Sequence, residues 1–323
     1  MSQDQPDHPT LTGGSGETPT GKGLSHLNHS TETMAEELSG CDSFSPPIMH
    51  SNKIAHISQT LMQQNAILCG DATTVLRILP DEYFTCCITS PPYWESRHSG
   101  KINRLGAEIN PQDYIRNLVQ VFREVRRTLT PLGTLWLVIG DSYATDNPQW
   151  WEMYTKIALN ESASRQALPN GFKANDTMGI PWRLAIELQN DGWYFKSDII
   201  WSIPNYPIET SRDRPARIHN YVFLLAKSER HNFNNHSLET ASRKTVWEIP
   251  TVLKSPIAYT VFPETLVERC MKAGSQKDDV VLDPFFGSGT VGIVAKRLKR
   301  RYVGIEIDPR TATLAGKRIR GET

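Results

Sequence analysis

Val280-Val281-Leu282-Asp283-Pro284-Phe285-Phe286-Gly287-Ser288-Gly289-Thr290 reads as a short β-branched strand ending in an acid, then a tight loop, then a helix start. Gly287 and Gly289 let the backbone turn sharply and approach a ligand closely. The next strand ends at Glu306, 23 positions after Asp283. An acid there can accept both ribose hydroxyls of a nucleotide-like cofactor. Strand, glycine loop, helix and acid-tipped strand together predict an open α/β sheet with its ligand sites at the carboxyl ends of the strands.

Gly287-Ser288-Gly289-Thr290-Val291-Gly292 also satisfies the G-x-G-x-x-G dinucleotide pattern. Two features argue against a nicotinamide cofactor. The Asp283 carboxylate lies where a pyrophosphate would approach, and would repel it. It would instead attract the ammonium and sulfonium of S-adenosyl-L-methionine. In addition, only 17 residues follow Glu306, too few for a second mononucleotide-binding half.

Far upstream, Tyr83-Phe84-Thr85-Cys86-Cys87-Ile88 reads as a buried strand and runs into Thr89-Ser90-Pro91-Pro92-Tyr93-Trp94. Two prolines end the strand and remove two backbone donors, leaving carbonyls without ladder partners. Ser90 sits just before this rigid corner and Tyr93 just after it. Fixed acceptors beside an aromatic plate suit a flat base with an exocyclic amino group.

Helices are expected over 72–79, 111–129, 181–189, 263–273, 290–298 and from 309, and strands over 65–69, 83–88, 133–139, 194–201, 221–226, 280–283 and 302–306. This alternation predicts a doubly wound, mainly parallel sheet of seven strands. Helix 111–129 carries an apolar stripe of Tyr114, Leu118, Val121, Phe122 and Val125, with Arg123, Arg126 and Arg127 expected in solvent. Residues 144–177 and 228–258 are polar and irregular, and read as insertions. Residues 1–50, rich in Ser, Thr, Gly and Pro, are expected to be a disordered tail ahead of one domain over 51–323.

With 323 residues, 38% of them hydrophobic, and a mean hydropathy of −0.43, the chain can bury a large core. No apolar run approaches the roughly 20 residues that span a bilayer. The N-terminus lacks a secretory pattern, so a cytoplasmic protein with no membrane partner is expected. Cys41, Cys69, Cys86, Cys87 and Cys270 are odd in number and lack metal-ligand spacing; reduced thiols and no metal site are expected. Cys86 and Cys87 should face opposite sides of their sheet. The net charge is zero, but residues 1–50 hold seven acids and one base, Lys22, leaving 34 basic and 28 acidic residues in 51–323. That excess suits a phosphate-binding face without requiring one.

The corner at 89–94 resembles the Ser-Pro-Pro-Tyr or Asp-Pro-Pro-Tyr tetrapeptide of DNA methyltransferases that modify exocyclic amino groups. Residues Asp283 through Thr290 resemble their S-adenosyl-L-methionine loop. Gly304-Ile305-Glu306-Ile307-Asp308-Pro309 is similar to their following cofactor strand. Phe262-Pro263-Glu264-Thr265-Leu266 resembles the helix start that closes over the methionine end, and Gly70-Asp71 the segment that meets the adenine. Gly140-Asp141-Ser142-Tyr143, Gly179-Ile180-Pro181-Trp182-Arg183 and His219-Asn220-Tyr221-Val222-Phe223-Leu224 are similar to further family segments. The tetrapeptide precedes the cofactor loop, which is the circularly permuted, beta-group order. The resemblance implies a class I methyltransferase fold with the strand into Ser90 lying beside the strand into Asp283.

It also implies roles. Cofactor contacts are expected from Asp71, Phe262, Thr265, Asp283, Phe285 and Gly287, and from Ser288, Gly289, Thr290, Glu306 and Ile307. Ser90 Oγ and the Pro91 carbonyl would accept from the target amino group, Pro92 would rigidify the corner, and Tyr93 would stack on a flipped base. A serine at position 90 points to cytosine N4, with adenine N6 the alternative, because aspartate is common in the adenine enzymes. A protein, RNA or small-molecule amino-methyltransferase and a non-catalytic DNA-binding module are the readings from other classes. The first would not need the polar insertions, and the second would give Asp283 and Glu306 no purpose. Duplex DNA is the expected partner, with a cognate restriction endonuclease on the same site. Candidate DNA contacts are Arg97 and Arg104, then Arg212, Arg214 and Arg217, then Arg243 and Lys244, because arginine bidentate to guanine is the commonest specific contact. Of the two insertions, 228–258 is favoured for recognition, with 144–177 assisting.

Overall fold

The computed structural model describes residues 65–94, 105–108, 110–144, 171–205, 213–251 and 263–322. The expected tail at 1–50, the candidates Arg97, Arg104, Arg212 and Phe262, and residues 145–170 of the first insertion lie outside the described residues.

Strand β1 (Ala66–Cys69) leads into helix α1 (Ala72–Ile78), whose first turn is capped by the Asp71 side chain. β2 (Phe84–Thr89), α2 (Pro111–Thr128) and β3 (Leu129–Ile139) follow, then α3 (Ile180–Asn190), β4 (Tyr194–Ser202) and β5 (His219–Ala226). The chain ends with β6 (Val246–Glu248), α4 (Glu264–Gly274), β7 (Val280–Asp283), α5 (Thr290–Arg297), β8 (Arg301–Glu306) and α6 (Pro309–Arg320). The strands form one sheet in the order β1-β8-β7-β2-β3-β5-β4-β6, in which only β5 runs against its neighbours.

The sheet is covered on both sides. Side chains of α1, α2 and α3 pack on one face, with Leu76, Tyr114, Phe122 and Leu184 fully buried. Those of α4, α5 and α6 pack on the other, with Leu266, Met271, Val294 and Ala315 fully buried. Cys87 joins the first layer and Cys86 the second, as alternation along β2 requires. Burial on both faces explains why β2 and β7 read as continuous apolar runs. The five stripe residues of α2 are all buried.

Three expectations change. The sheet has eight strands among the described residues, not seven. The extra strand, β6, lies inside 228–258, which is therefore partly integral to the fold. It pairs with β4 through Trp201↔Trp247, and buried Trp247 stacks on Trp136. A three-residue strand with one inward side chain has too little periodicity to be read from sequence. Finally, Arg127 is not free in solvent: it donates to the Leu76 and Leu79 carbonyls at the end of α1 and pairs with Asp81 and Glu124.

Gly304 in β8 has a steric reason to be glycine. A Cβ there would sit 2.2 Å from Phe286, whose ring is stacked on Tyr302. Gly304→Ala should therefore lose about 1–3 kcal/mol to overpacking, seen as a lower denaturation midpoint by circular dichroism.

Candidate active site

Because seven strands point the same way, their carboxyl ends share one edge of the sheet, where an open α/β fold binds ligands. Along that edge stand Gly70-Asp71 after β1, Glu306 at β8, Asp283 at β7, the Ser90–Tyr93 corner after β2 and Gly140-Asp141 after β3. His219, the first residue of β5, completes the row. Residues remote in sequence thus line up in the order cofactor candidates, corner, then arginine segment.

At the β7 end, Asp283 is fully buried. Its Oδ1 accepts from Thr89 Oγ1 at 2.6 Å and from the Phe285 amide at 3.0 Å, while Oδ2 is buried without a partner. Burial raises its pKa from the ordinary 3.8 to about 7; the two hydrogen bonds oppose that shift and the nearby Glu306 charge adds to it. Thr290 Oγ1, at the start of α5, is also buried and unpartnered. Gly287 and Gly289 both have left-handed backbones, with φ of 51° and 84°.

At the β8 end, Glu306 Oε2 accepts from the Gly287 amide at 2.8 Å and Oε1 from the Asp308 amide at 2.9 Å. These bonds fix the acid against the glycine loop. Ile307 beside it is exposed, an apolar surface at a polar rim, and Phe285 is half-buried. Asp71 is exposed next to Glu306, through the pairing Cys69↔Glu306, and caps α1 through Thr74. Thr265 is exposed in the first turn of α4. Ser288 is tied to α6: Arg318 donates to both its hydroxyl and its carbonyl at 2.6 Å.

The corner is held from below. Tyr114 Oη donates to the Pro92 carbonyl at 2.7 Å, and burial pushes its phenol well above the ordinary 10, so it stays a donor. Trp94 Nε1 donates to the Glu108 carbonyl at 2.9 Å. Glu108 Oε2 in turn accepts from the Gly106 amide at 2.7 Å. Among the described residues nothing bonds to Ser90 Oγ or to the Pro91 carbonyl. The Tyr93 ring lies over Gly140, where a Cβ would be 2.8 Å from Tyr93 Cε2 and 2.6 Å from Asn220 Oδ1.

Beyond Gly140, Asp141 accepts from the Ser142, Gly179 and Ile180 amides at 3.0–3.1 Å. It also faces Arg217 at 3.7 Å. Arg214 and Arg217 both lie on the Tyr143 ring, 3.9 and 4.5 Å from its centroid. Tyr143 bridges to Thr177, so the two ends of the first insertion meet at this edge. Arg243 and Lys244 stand elsewhere: they precede β6, back from the edge, and Arg243 Nε donates to the Leu238 carbonyl. Sequence reasoning did not assign Thr89, Tyr114, Glu108 or Asn220 to the site. Tyr114 was visible only as core, and Thr89 only as the residue before the corner.

The chain matches a family of DNA methylases, of the N6/N4 type, over residues 84–317. The Type II methyltransferase M.SmaI of Serratia marcescens is 44% identical over 285 residues, covering 84% of this chain and 98% of the relative. This chain belongs to the N6/N4 DNA methylase family. M.XycI of Xanthomonas campestris pv. cyanopsidis, also a Type II methyltransferase, is 41% identical over 269 residues, 81% of this chain and 90% of the relative. The PvuII DNA methyltransferase (cytosine-N4-specific) shares the fold, with a TM-score of 0.62 and 19% identity over 79% of this chain and 86% of that one. A putative DNA modification methylase of Thermus thermophilus, TTHA0409, solved with S-adenosyl-L-methionine, has a TM-score of 0.58 and 26% identity over 80% of this chain and 94% of that one. S-adenosyl-L-methionine is the ligand of that solved methylase. The residues at the β7 end fit it: a buried carboxylate oxygen without a partner suits a cationic ligand.

The raised pKa of Asp283 has a consequence for the cofactor-free enzyme. The folded protein holds the Asp283 proton up to about pH 7, whereas the unfolded chain releases it near 3.8. Stability should then fall as pH rises between these values, because the unfolded state binds fewer protons there. Asp283→Asn should flatten that fall in thermal melts run from pH 5 to 8.

Proposed function

We propose that this DNA methylase transfers a methyl group to the exocyclic N4 of a flipped-out cytosine within a specific duplex site. We also propose that it is the modification partner of a restriction endonuclease with the same site. The observation that carries this reading is the direct bond between the ends of β2 and β7, Thr89 to Asp283, which puts an amino-group corner beside a cation-seeking carboxylate. Ser90 at the head of the corner favours cytosine over adenine. The order of tetrapeptide before cofactor loop supports the permuted, beta-group type. The names of the Type II relatives support a restriction partner, and with it a cytoplasmic location.

When bound, S-adenosyl-L-methionine supplies an electrophilic methyl carbon. Asp283 would hold its ammonium, Glu306 its ribose hydroxyls, and Asp71 with Ile307 and Phe285 its adenine end. Thr265 would stand at the methionine end, and Gly287, Ser288, Gly289 and Thr290 would supply the loop around it. An exocyclic amine is a poor nucleophile because its lone pair is delocalised into the ring. Ser90 Oγ and the Pro91 carbonyl would accept its hydrogens and turn the lone pair outward, so positioning accounts for much of the acceleration. The Pro92 carbonyl, taken by Tyr114, keeps the corner rigid rather than serving the base. Tyr93 would stack on the base and offset part of the cost of flipping, at about 1–3 kcal/mol. Arg214 and Arg217, nearest the edge, would contact DNA beside the target; Arg243 and Lys244 would contact it farther out. The single methylase domain over 51–323 would grip DNA with 144–177 and 228–258.

The deciding experiment incubates purified protein with labelled cofactor and plasmid DNA and identifies the modified nucleoside. N4-methylcytosine is expected; N6-methyladenine would overturn the base assignment. Asp283→Ala should weaken cofactor binding by about ten- to a hundredfold, the worth of a charge-assisted hydrogen bond, as read by calorimetry. Tyr93→Ala should lower turnover with cofactor affinity intact, and Tyr93→Phe should be milder. Equal damage from both would assign the role to the hydroxyl instead of the ring.

A further inference from the structure

We infer that Thr89 is a positioning residue for the cofactor carboxylate: its hydroxyl orients Asp283 and ties cofactor capture to the base-binding corner. The inference deepens the proposed function and rests on Asp283 being the partner of the cofactor ammonium.

Thr89 is fully buried as the last residue of β2, and its backbone continues directly into Ser90 and the two prolines. Its Oγ1 donates at 2.6 Å to Asp283 Oδ1, across 194 residues of sequence. The Phe285 amide donates to the same oxygen. Both donors therefore fall on Oδ1, and Oδ2 is left as the buried atom without a partner. A carboxylate held by one oxygen presents the other in a fixed direction, which is what a cation needs from it. Threonine suits the task because its β-branch is at home in a strand and restricts χ1. A hydroxyl that merely satisfied itself in the core would need any acceptor, not the one carboxylate in the cofactor loop.

The bond also acts on charge. Burial is the main force opposing the ionisation of Asp283, and Glu306 from β8 adds like charge; the neighbouring Cys87 thiol, its own pKa pushed well up by burial, contributes no cation. Thr89 Oγ1 and the Phe285 amide are the donors that favour the charged form. Removing the hydroxyl should move the Asp283 titration to higher pH, so that less carboxylate is available to a cation at neutral pH.

The test compares Thr89→Val, Thr89→Ser and Asp283→Asn with the wild type by calorimetry with S-adenosyl-L-methionine from pH 6 to 8. The ligand's own ammonium titration is common to all four proteins, so differences between their profiles report the protein. Thr89→Val is close to isosteric and should bind about tenfold more weakly at pH 7, the scale of one hydrogen bond to a charged group. Its affinity should recover at higher pH than that of the wild type. Thr89→Ser should restore both affinity and profile. If Asp283→Asn weakens binding while Thr89→Val keeps the wild-type affinity and profile, the Thr89 role is overturned and the Asp283 reading stands. If Asp283→Asn also binds as the wild type does, the Asp283 reading fails and this inference with it. Thr89→Val that binds weakly with an unshifted profile, and is not rescued by serine, would mark a packing role and also overturn it.

Discussion

The pairing of β2 with β7 is the contact on which the site depends. Cys86 lies against Val281 and Cys87 against Leu282, so the two strands end within one residue of each other. Neither continues: β2 stops at two prolines, and β7 stops at Asp283, followed by Pro284 and the glycine loop. Each strand therefore hands its chain to the site at nearly the same height, and the Thr89–Asp283 hydrogen bond closes the joint. A slip of one residue would turn every side chain of β2 to the opposite face and separate the pair. Close packing of each face of the two strands against its own helices opposes that slip.

Two buried acids at the same edge show how differently a carboxylate can be used. Asp141 is met by three backbone amides and by Arg217, and holds the start of α3 to the end of β3. Its hydrogen-bonding capacity is spent on structure. Asp283 is more deeply buried, yet one oxygen has no partner, and its pKa rises to about 7. Leaving such an atom unpaired is costly, and folds tolerate it where a ligand will complete it. The contrast supports the cofactor site proposed at the β7 end.

The corner gains its rigidity from below rather than from its prolines alone. Tyr114, a core residue of α2, reaches the Pro92 carbonyl, and Glu108 gathers Trp94, Gly106 and Asn117 around the return of the chain. Gly140 lets the Tyr93 ring and Asn220 close on the same point. The surroundings of the corner are thus assembled from segments far apart in sequence. Arg214 and Arg217 lie alongside it on Tyr143, which places positive charge next to the corner at the end of the sheet that accepts ligands.

Local patterns alone determined most of the fold: the strand before the prolines, the amphipathic stripe of α2, and the strand–glycine loop–helix unit all formed where their periodicity and turn residues require. Composition and motif spacing likewise pointed to Asp283, Glu306 and the 89–93 corner, because the chemistry of acids, glycines and prolines is carried by residue type. What they could not determine was which partners those residues meet. Thr89 is one threonine among many until β2 lies beside β7, and Tyr114 is a core aromatic until its hydroxyl meets Pro92. The strand β6 exists because β4 offers an edge and Trp136 a surface for Trp247, neither of which is visible in three residues of sequence. Arg217 likewise became an edge residue paired to Asp141 while Arg243 was drawn back toward Leu238. Local preference depends on neighbours along the chain, whereas hydrogen bonds, burial and charge depend on neighbours in space, and only the folded sheet supplies those.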